Sequence, residues 1–150
     1  VRYPRGAQRA IPESIKPTFA DFDVFGDENA EKAIITYGRT FSACAFAYEK
    51  LVNSGESVKL IKLNRIIPVC EGAVEAAKNC KDIYFFEEGI RRGGAGEGFL
   101  FDLSKAGFSG KYHLRAIENG FVKQASVESL LHKYGFDEEG VLSFVTSAED

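Results

Sequence analysis

Two rhythms of hydrophobic and polar positions alternate along the chain. Short blocks of bulky apolar residues are separated by longer stretches in which apolar residues return at every third or fourth position. The blocks at 33–37, 58–63, 83–86 and 112–116 have the length and composition of strands, and a weaker one at 20–25 suits an edge strand closed by the Gly26-Asp27-Glu28-Asn29 turn. Phe41, Cys44, Ala45, Tyr48, Leu51 and Val52 share one face at helical spacing. This predicts a helix capped by Thr40 or Ser42, running to about Asn53 and stopped by Gly55. A second helix is expected over 70–79, where Ala73, Ala76 and Ala77 allow close approach to a sheet. Another follows the glycines at 93–98, ends near Ala106 and is closed by Gly107. The last two are expected over 126–134, with Ser126 and Ser129 as capping candidates, and over 137–148. Strands alternating with helices predict an α/β fold: a mostly parallel sheet covered on both faces.

The centre of this pattern is the stretch from Asp82 to Phe101, DIYFFEEGIRRGGAGEGFLF. Ile83, Tyr84, Phe85 and Phe86 show no alternation, which suits a strand buried on both faces. Glu87 and Glu88 follow, and then Gly93-Gly94-Ala95-Gly96-Glu97-Gly98. A loop at the carboxyl end of a middle strand is where open α/β sheets place ligands and partner surfaces. The glycines imitate a dinucleotide fingerprint, but Phe99 stands where the third small residue belongs, and no lysine-hydroxyl pair follows. A tight turn that lets a helix start close to the sheet explains them better. Neighbours on a strand point to opposite faces, so Glu87 and Glu88 are not expected to share one site. One of them is a candidate to accept hydrogen bonds from the loop amides.

Composition narrows the classes. The length of 150 residues is that of one ordinary domain, and 45% hydrophobic residues with thirteen Phe and neither Trp nor Met describe an aromatic-aliphatic core. Net charge is −3 and the basic residues are scattered, so no nucleic-acid surface is read. Cys44, Cys70 and Cys80 are odd in number, which argues for a reduced, cytoplasmic protein. No apolar run is long enough to cross a membrane. The sequence opens on Val1 and reads as a piece of something longer. Residues 1–19 hold three of the four prolines with Arg2, Arg5, Arg9 and Lys16, the composition of a linker running over a surface.

Chemistry is sparse. His113 and His132 have no Cys or carboxylate at metal-ligand spacing. The serines lack the setting of a nucleophile elbow, and Cys70 and Cys80 read as structural. Arg2 and Arg5, around Tyr3-Pro4, could offer a guanidinium fork to a phosphate.

Several stretches together carry a resemblance. They are Arg2-Tyr3-Pro4-Arg5-Gly6, the strand, Gly38 and helix of 33–53, Arg65-Ile66-Ile67-Pro68, and Glu87-Glu88-Gly89 with the glycines of 93–98. Phe121-Val122-Lys123-Gln124 and the tail LLHKYGFDEEG from Leu130 to Gly140 complete the set. In order and spacing the chain resembles the C-terminal domain of the 1-deoxy-D-xylulose-5-phosphate synthases, in the transketolase-like thiamine diphosphate family. It departs at Ile67-Pro68-Val69-Cys70, where that family commonly has Lys-Pro-Leu-Asp, and at Ala125, where a glycine is usual.

The resemblance implies a three-layer α/β/α domain with a five-stranded, mostly parallel mixed sheet whose first strand is antiparallel. It implies that residues 1–18 end a preceding pyrimidine-binding domain and that 19–150 form the C-terminal domain. The parent protein it implies is a homodimeric transferase that condenses pyruvate with glyceraldehyde 3-phosphate, losing CO2, to supply isoprenoid, thiamine and pyridoxal biosynthesis. Thiamine diphosphate and Mg²⁺ are then held by upstream domains, and no cofactor, metal or catalytic residue is expected in this stretch. Gly26-Asp27-Glu28 with Asn53 only loosely imitates the metal-diphosphate motif. Arg5 matches the arginine that holds the phosphate of glyceraldehyde 3-phosphate. The stretch alone is expected to be inactive, a domain that frames the active site and the assembly. Two alternatives stay open: the equivalent domain of a transketolase or of a 2-oxo acid dehydrogenase E1 β subunit, and a stand-alone nucleotide-binding module using the glycines of 93–98.

Overall fold

The five apolar blocks become the five strands of one sheet. They are β1 (Phe22–Phe25), β2 (Lys32–Thr36), β3 (Val58–Leu63), β4 (Asp82–Ile90) and β5 (Lys111–Ile117), in the order β1-β3-β2-β4-β5. The structure is a computed structural model and describes residues 9–118 and 120–147. β1 runs antiparallel to β3, with Phe22 opposite Leu63, and the remaining pairs are parallel. The helices are α1 (Thr40–Asn53), α2 (Glu71–Ala77), α3 (Ala95–Lys105), α4 (Val127–Tyr134) and α5 (Glu138–Ser147).

Period-two alternation along the strands sorts the core into two layers. Ile34, Leu60, Tyr84 and Phe86 meet Cys44, Ala45 and Leu51 of α1 and Val141 and Val145 of α5. Ile35, Ile61, Ile83 and Phe85 meet Ala73 and Ala77 of α2 and Phe99 and Leu103 of α3. Tyr84, Phe85 and Phe86 are completely buried. Burying a side chain of that size is worth roughly 1.5–3 kcal/mol, so β4 is stable only with helices on both of its faces. The three-layer α/β/α architecture and the mixed sheet with an antiparallel first strand stand as expected.

Local boundaries differ in instructive ways. β4 continues past its apolar block through Glu87 and Glu88 to Ile90, because Ile90 still pairs with Ile117 after a register shift. α3 begins at Ala95, so Gly96 and Gly98 lie inside the helix and Gly94 sits at its N-cap. α2 is shorter than its apolar pattern, ending at Ala77. Neither Thr40 nor Ser42 caps α1. Arg39 holds the N-cap position without a side-chain bond, and the Thr40 hydroxyl donates back to the Tyr37 carbonyl at 2.8 Å. The Ser42 hydroxyl donates to the Ala10 carbonyl at 2.5 Å. Val52 is 43% exposed, off the buried face of α1. Ser126 does cap α4, accepting the Ser129 N–H, and Gly135 closes that helix at φ 69°, a conformation few residues other than glycine adopt.

Residues 9–19 carry no strand or helix, yet the segment is pinned. Ile15 is 4% exposed and Ile11 packs against the same core cluster, while Ser14 donates to Glu49 of α1.

Candidate functional site

The carboxyl end of the sheet gathers the side chains with the most chemical character. β4 delivers Glu87 into a space between its own end, the first turn of α3 and the Tyr37 that follows β2. The carboxylate is 1% exposed. Its Oε2 accepts the Tyr37 hydroxyl at 2.9 Å and the Ala95 N–H at 3.0 Å, and its Oε1 accepts the Gly96 N–H at 3.1 Å. The first amides of a helix lack intrahelical partners and carry the positive end of the macrodipole, so a carboxylate there neutralises what would otherwise receive a phosphate. Desolvating a carboxylate is expensive unless it is fully hydrogen-bonded, and here three donors meet it. Tyr112 completes the surround by donating to the Gly96 carbonyl at 2.7 Å. Burial first, and then the nearby Glu87 charge, push the hydroxyls of Tyr37 and Tyr112 well above the usual phenol range. Both stay protonated and act as donors.

Two of the glycines, Gly94 and Gly96, are explained by close packing around this carboxylate. A β-carbon on Gly94 would stand 2.5 Å from Glu87 Oε1 and on top of the Ile90 carbonyl oxygen. A β-carbon on Gly96 would stand 2.5 Å from Leu114 Cδ1 and 3.1 Å from Glu87 Oε1. The close approach that glycines permit is used for the protein's own side chain.

Glu88 turns the other way and is partly exposed. Its carboxylate takes the Arg39 guanidinium through Nε at 3.1 Å and through Nη2 at 2.9 Å to each oxygen. The two adjacent glutamates therefore form two separate structures on opposite faces, as strand geometry requires. Strand alternation in the sequence revealed that separation, but not the partners. The clue to them was the parallel neighbour β2, whose last pair is Thr36 with Phe86, so that Tyr37-Gly38-Arg39 follow it beside Glu87-Glu88.

The other candidates gather no chemistry. His113 Nε2 lies 3.0 Å from Asp82, and its ring stacks on Tyr84 with centroids 4.7 Å apart. His132 Nδ1 meets Asp137 at 2.6 Å. Each histidine thus has one carboxylate neighbour that spacing along the chain did not reveal. Among the described residues no group of three or more His, Cys, Asp or Glu is placed to hold a metal. Cys44 and Cys80 are buried and Cys70 is half-buried, all free. Asp27 accepts the Asn29 N–H within its own turn, which leaves the Gly26-Asp27-Glu28 stretch a turn, not a metal-diphosphate cradle. Thiamine diphosphate and Mg²⁺ do not fit the described residues. An open cleft of about 650 Å³ lies at the opposite, amino end of the strands, lined by Lys78, Lys81, Asp82 and Lys111. Two of those lysines are already paired, Lys78 with Glu75 and Lys81 with Glu31. Arg5 lies outside the described residues. Among the described residues no helix is long and apolar enough to cross a membrane.

The family model described as the transketolase C-terminal domain matches residues 26–141. A 1-deoxy-D-xylulose-5-phosphate synthase from Shouchella clausii is 25% identical over 150 residues, covering 98% of this chain and 24% of its own length. The synthase of the same name from Geobacillus thermodenitrificans is 29% identical over 144 residues, covering 90% of this chain and 22% of its own. That from Bacteroides fragilis is 30% identical over 116 residues, covering 76% and 18% respectively. The chain thus spans between 18% and 24% of the length of these relatives. Among solved structures, a split-gene transketolase described as an inactive beta4 tetramer superimposes with a TM-score of 0.76. Its identity is 20%, and the match covers 92% of this chain and 46% of that one. At that identity the likeness is one of fold.

Proposed function

This chain belongs to the transketolase C-terminal domain family, and on that premise we propose that it is the C-terminal domain of a 1-deoxy-D-xylulose-5-phosphate synthase. The parent protein condenses pyruvate with glyceraldehyde 3-phosphate, with loss of CO2, to 1-deoxy-D-xylulose 5-phosphate. Thiamine diphosphate, with Mg²⁺, supplies the carbanion chemistry of such a reaction and belongs to domains outside this stretch. Residues 1–18 are the end of the preceding domain and its linker, and 19–150 are the C-terminal domain. The parent is a cytoplasmic homodimer, and this domain serves its assembly.

The names of the relatives support the reaction. The observation that carries the assembly role is the Glu87 carboxylate in the N-terminal seat of α3. At the place where an α/β domain of this kind offers amides to a phosphate, this one has filled them with its own side chain. That argues against the stand-alone nucleotide-binding reading. Within this chain the remaining substrate contact is Arg5, which holds the phosphate of the aldehyde through its guanidinium fork.

The test uses the full-length product of the gene with thiamine diphosphate and Mg²⁺. Pyruvate consumption should require glyceraldehyde 3-phosphate. Arg5→Ala should raise the KM for the aldehyde about 10-fold to 100-fold, the worth of a lost charge-assisted contact, with a smaller change in kcat. If pyruvate is untouched while ketose phosphates or a lipoyl acceptor react, the protein is a transketolase or an E1 β subunit instead.

A further inference from the structure

Nine large hydrophobic side chains of the described residues are exposed, and their distribution is uneven. Phe19 (109% exposed), Ile67 (82%), Ile90 (57%), Phe121 (104%) and Val122 (41%) all lie at the carboxyl end of the parallel strands. Ile90 is the last residue of β4, Ile67 follows β3, and Phe121 and Val122 follow β5. Phe19 joins them because β1 is reversed: Phe22 pairs with Leu63, and the Asn64 N–H bonds the Asp21 carbonyl at 2.9 Å. Single exposed apolar residues are ordinary, but clustering marks an interaction surface.

Three arginines of this end are paired within the chain. Arg39 pairs with Glu88, Arg65 with Asp21 at 2.9 Å, and Arg91 with Glu118 at 2.7 Å. Arg91 also donates to the Leu114 carbonyl at 2.8 Å. Each of three inter-strand connections thus neutralises its own arginine. A face that must be desolvated gains from this, because interface cores are depleted of unpaired charge.

The path of the chain indicates the occupant. Ala10 is held by Ser42, in the first turn of α1, and α1 starts where β2 ends. Ala10 therefore lies at the same end of the sheet as the apolar residues. The relatives are several times longer than this chain, and on the proposed reading that further length precedes this domain and is tethered at this end.

We propose that the carboxyl end of the sheet is the face on which the preceding domain of the same polypeptide docks. This rests on the reading of the chain as the C-terminal domain of a longer synthase, and it specifies the surface by which that domain is held. Interdomain interfaces within a chain bury about 600–1,500 Å², a scale that a face built from the ends of all five strands can meet. Glu87 and Arg39–Glu88 then act as internal ties that keep the connections in shape for docking.

The experiment uses the full-length gene product carrying single substitutions Phe19→Cys or Phe121→Cys on the face, and Val52→Cys or Phe101→Cys as exposed controls elsewhere. The thiols are labelled with a maleimide and mapped by mass spectrometry. If the face were free, Phe19 and Phe121 are more exposed than the controls and would label faster. Docking inverts that order: the face thiols should label about tenfold or more slowly, because an enclosed thiol reacts only when its interface opens. In the unsubstituted protein, amide exchange at Ile66, Ile67 and 120–125, whose N–H groups find no backbone acceptor among the described residues, should be slow for connecting loops. Face thiols reacting as fast as the controls, with fast exchange in those loops, overturn the proposal. So does protection that vanishes on dilution to the monomer, which assigns the face to a second copy. Loss of the synthase assay with protection intact removes the proposed reaction and leaves the docking face standing.

Discussion

Glu87 and Gly94 constrain each other: the carboxylate of one stands where a β-carbon on the other would lie, 2.5 Å from Oε1. The backbone of Gly94 is ordinary, at φ −76° and ψ 172°, so glycine is required there for room and not for conformation. Gly94→Ala should destabilise the chain by about 1–3 kcal/mol, the cost of overpacking a site that cannot expand. Urea unfolding checks this, and an unchanged midpoint would contradict the placement of Glu87.

The two adjacent glutamates should differ several-fold in their worth. Glu87→Ala strands the Tyr37 hydroxyl and two helix amides without their acceptor, a loss of about 3–5 kcal/mol for three buried donors left unsatisfied. Glu88→Ala removes a partly exposed pair with Arg39, worth about 0.5–1 kcal/mol and less in high salt. Chemical denaturation of both variants at low and at 0.5 M salt (about a four-Å Debye length) should rank them in that order.

Stability near α4 and α5 should depend on pH through His132 and Asp137. The hydrogen bond and charge of Asp137 raise the imidazole above its usual 6.5. Burial alone would raise the Asp137 carboxyl, but the His132 hydrogen bond and the Gly140 N–H outweigh it and hold it below its usual 3.8. A raised histidine contributes fully below its unfolded value and loses its contribution as pH rises through the folded one. A depressed aspartate contributes above its unfolded value and loses its contribution as pH falls through the folded one. Unfolding midpoints should therefore fall as pH rises from the usual imidazole range upward, and His132→Ala should flatten that fall.

The three thiols should react in a fixed order. Burial pushes the Cys44 thiol up to about 12, despite a hydrogen bond from Thr36 that lowers it. Burial also raises Cys80, with Lys59 opposing. Cys70 is half-buried at the start of α2. A thiol reagent at neutral pH should modify Cys70 in the folded chain and reach Cys44 and Cys80 only on unfolding, since the thiolate is the reactive form. Early modification of Cys44 would sink the assigned packing of α1 on β2.

Much of the architecture was legible in the chain because it depends on periodicity. The unbroken block Ile83 to Phe86 marked a central strand, and strand-helix alternation marked a parallel sheet, since burial on one face or two leaves a repeat of its own. The separation of Glu87 from Glu88 was legible for the same reason. Element ends were not. The β4 backbone keeps pairing beyond its apolar block, and α1 starts without the capping hydroxyl that its sequence offers, because Thr40 and Ser42 spend their hydroxyls on Tyr37 and Ala10.

What only the tertiary structure decided is where distant residues meet. Glu87 meets Tyr37 across 50 positions, and Arg39 meets Glu88 across 49. The parallel pairing of β2 with β4 brings both pairs together, and no local pattern encodes which strands lie side by side. Gly94 and Gly96 marked a close approach in sequence. Only the register of the sheet showed that what approaches is a carboxylate of the same chain.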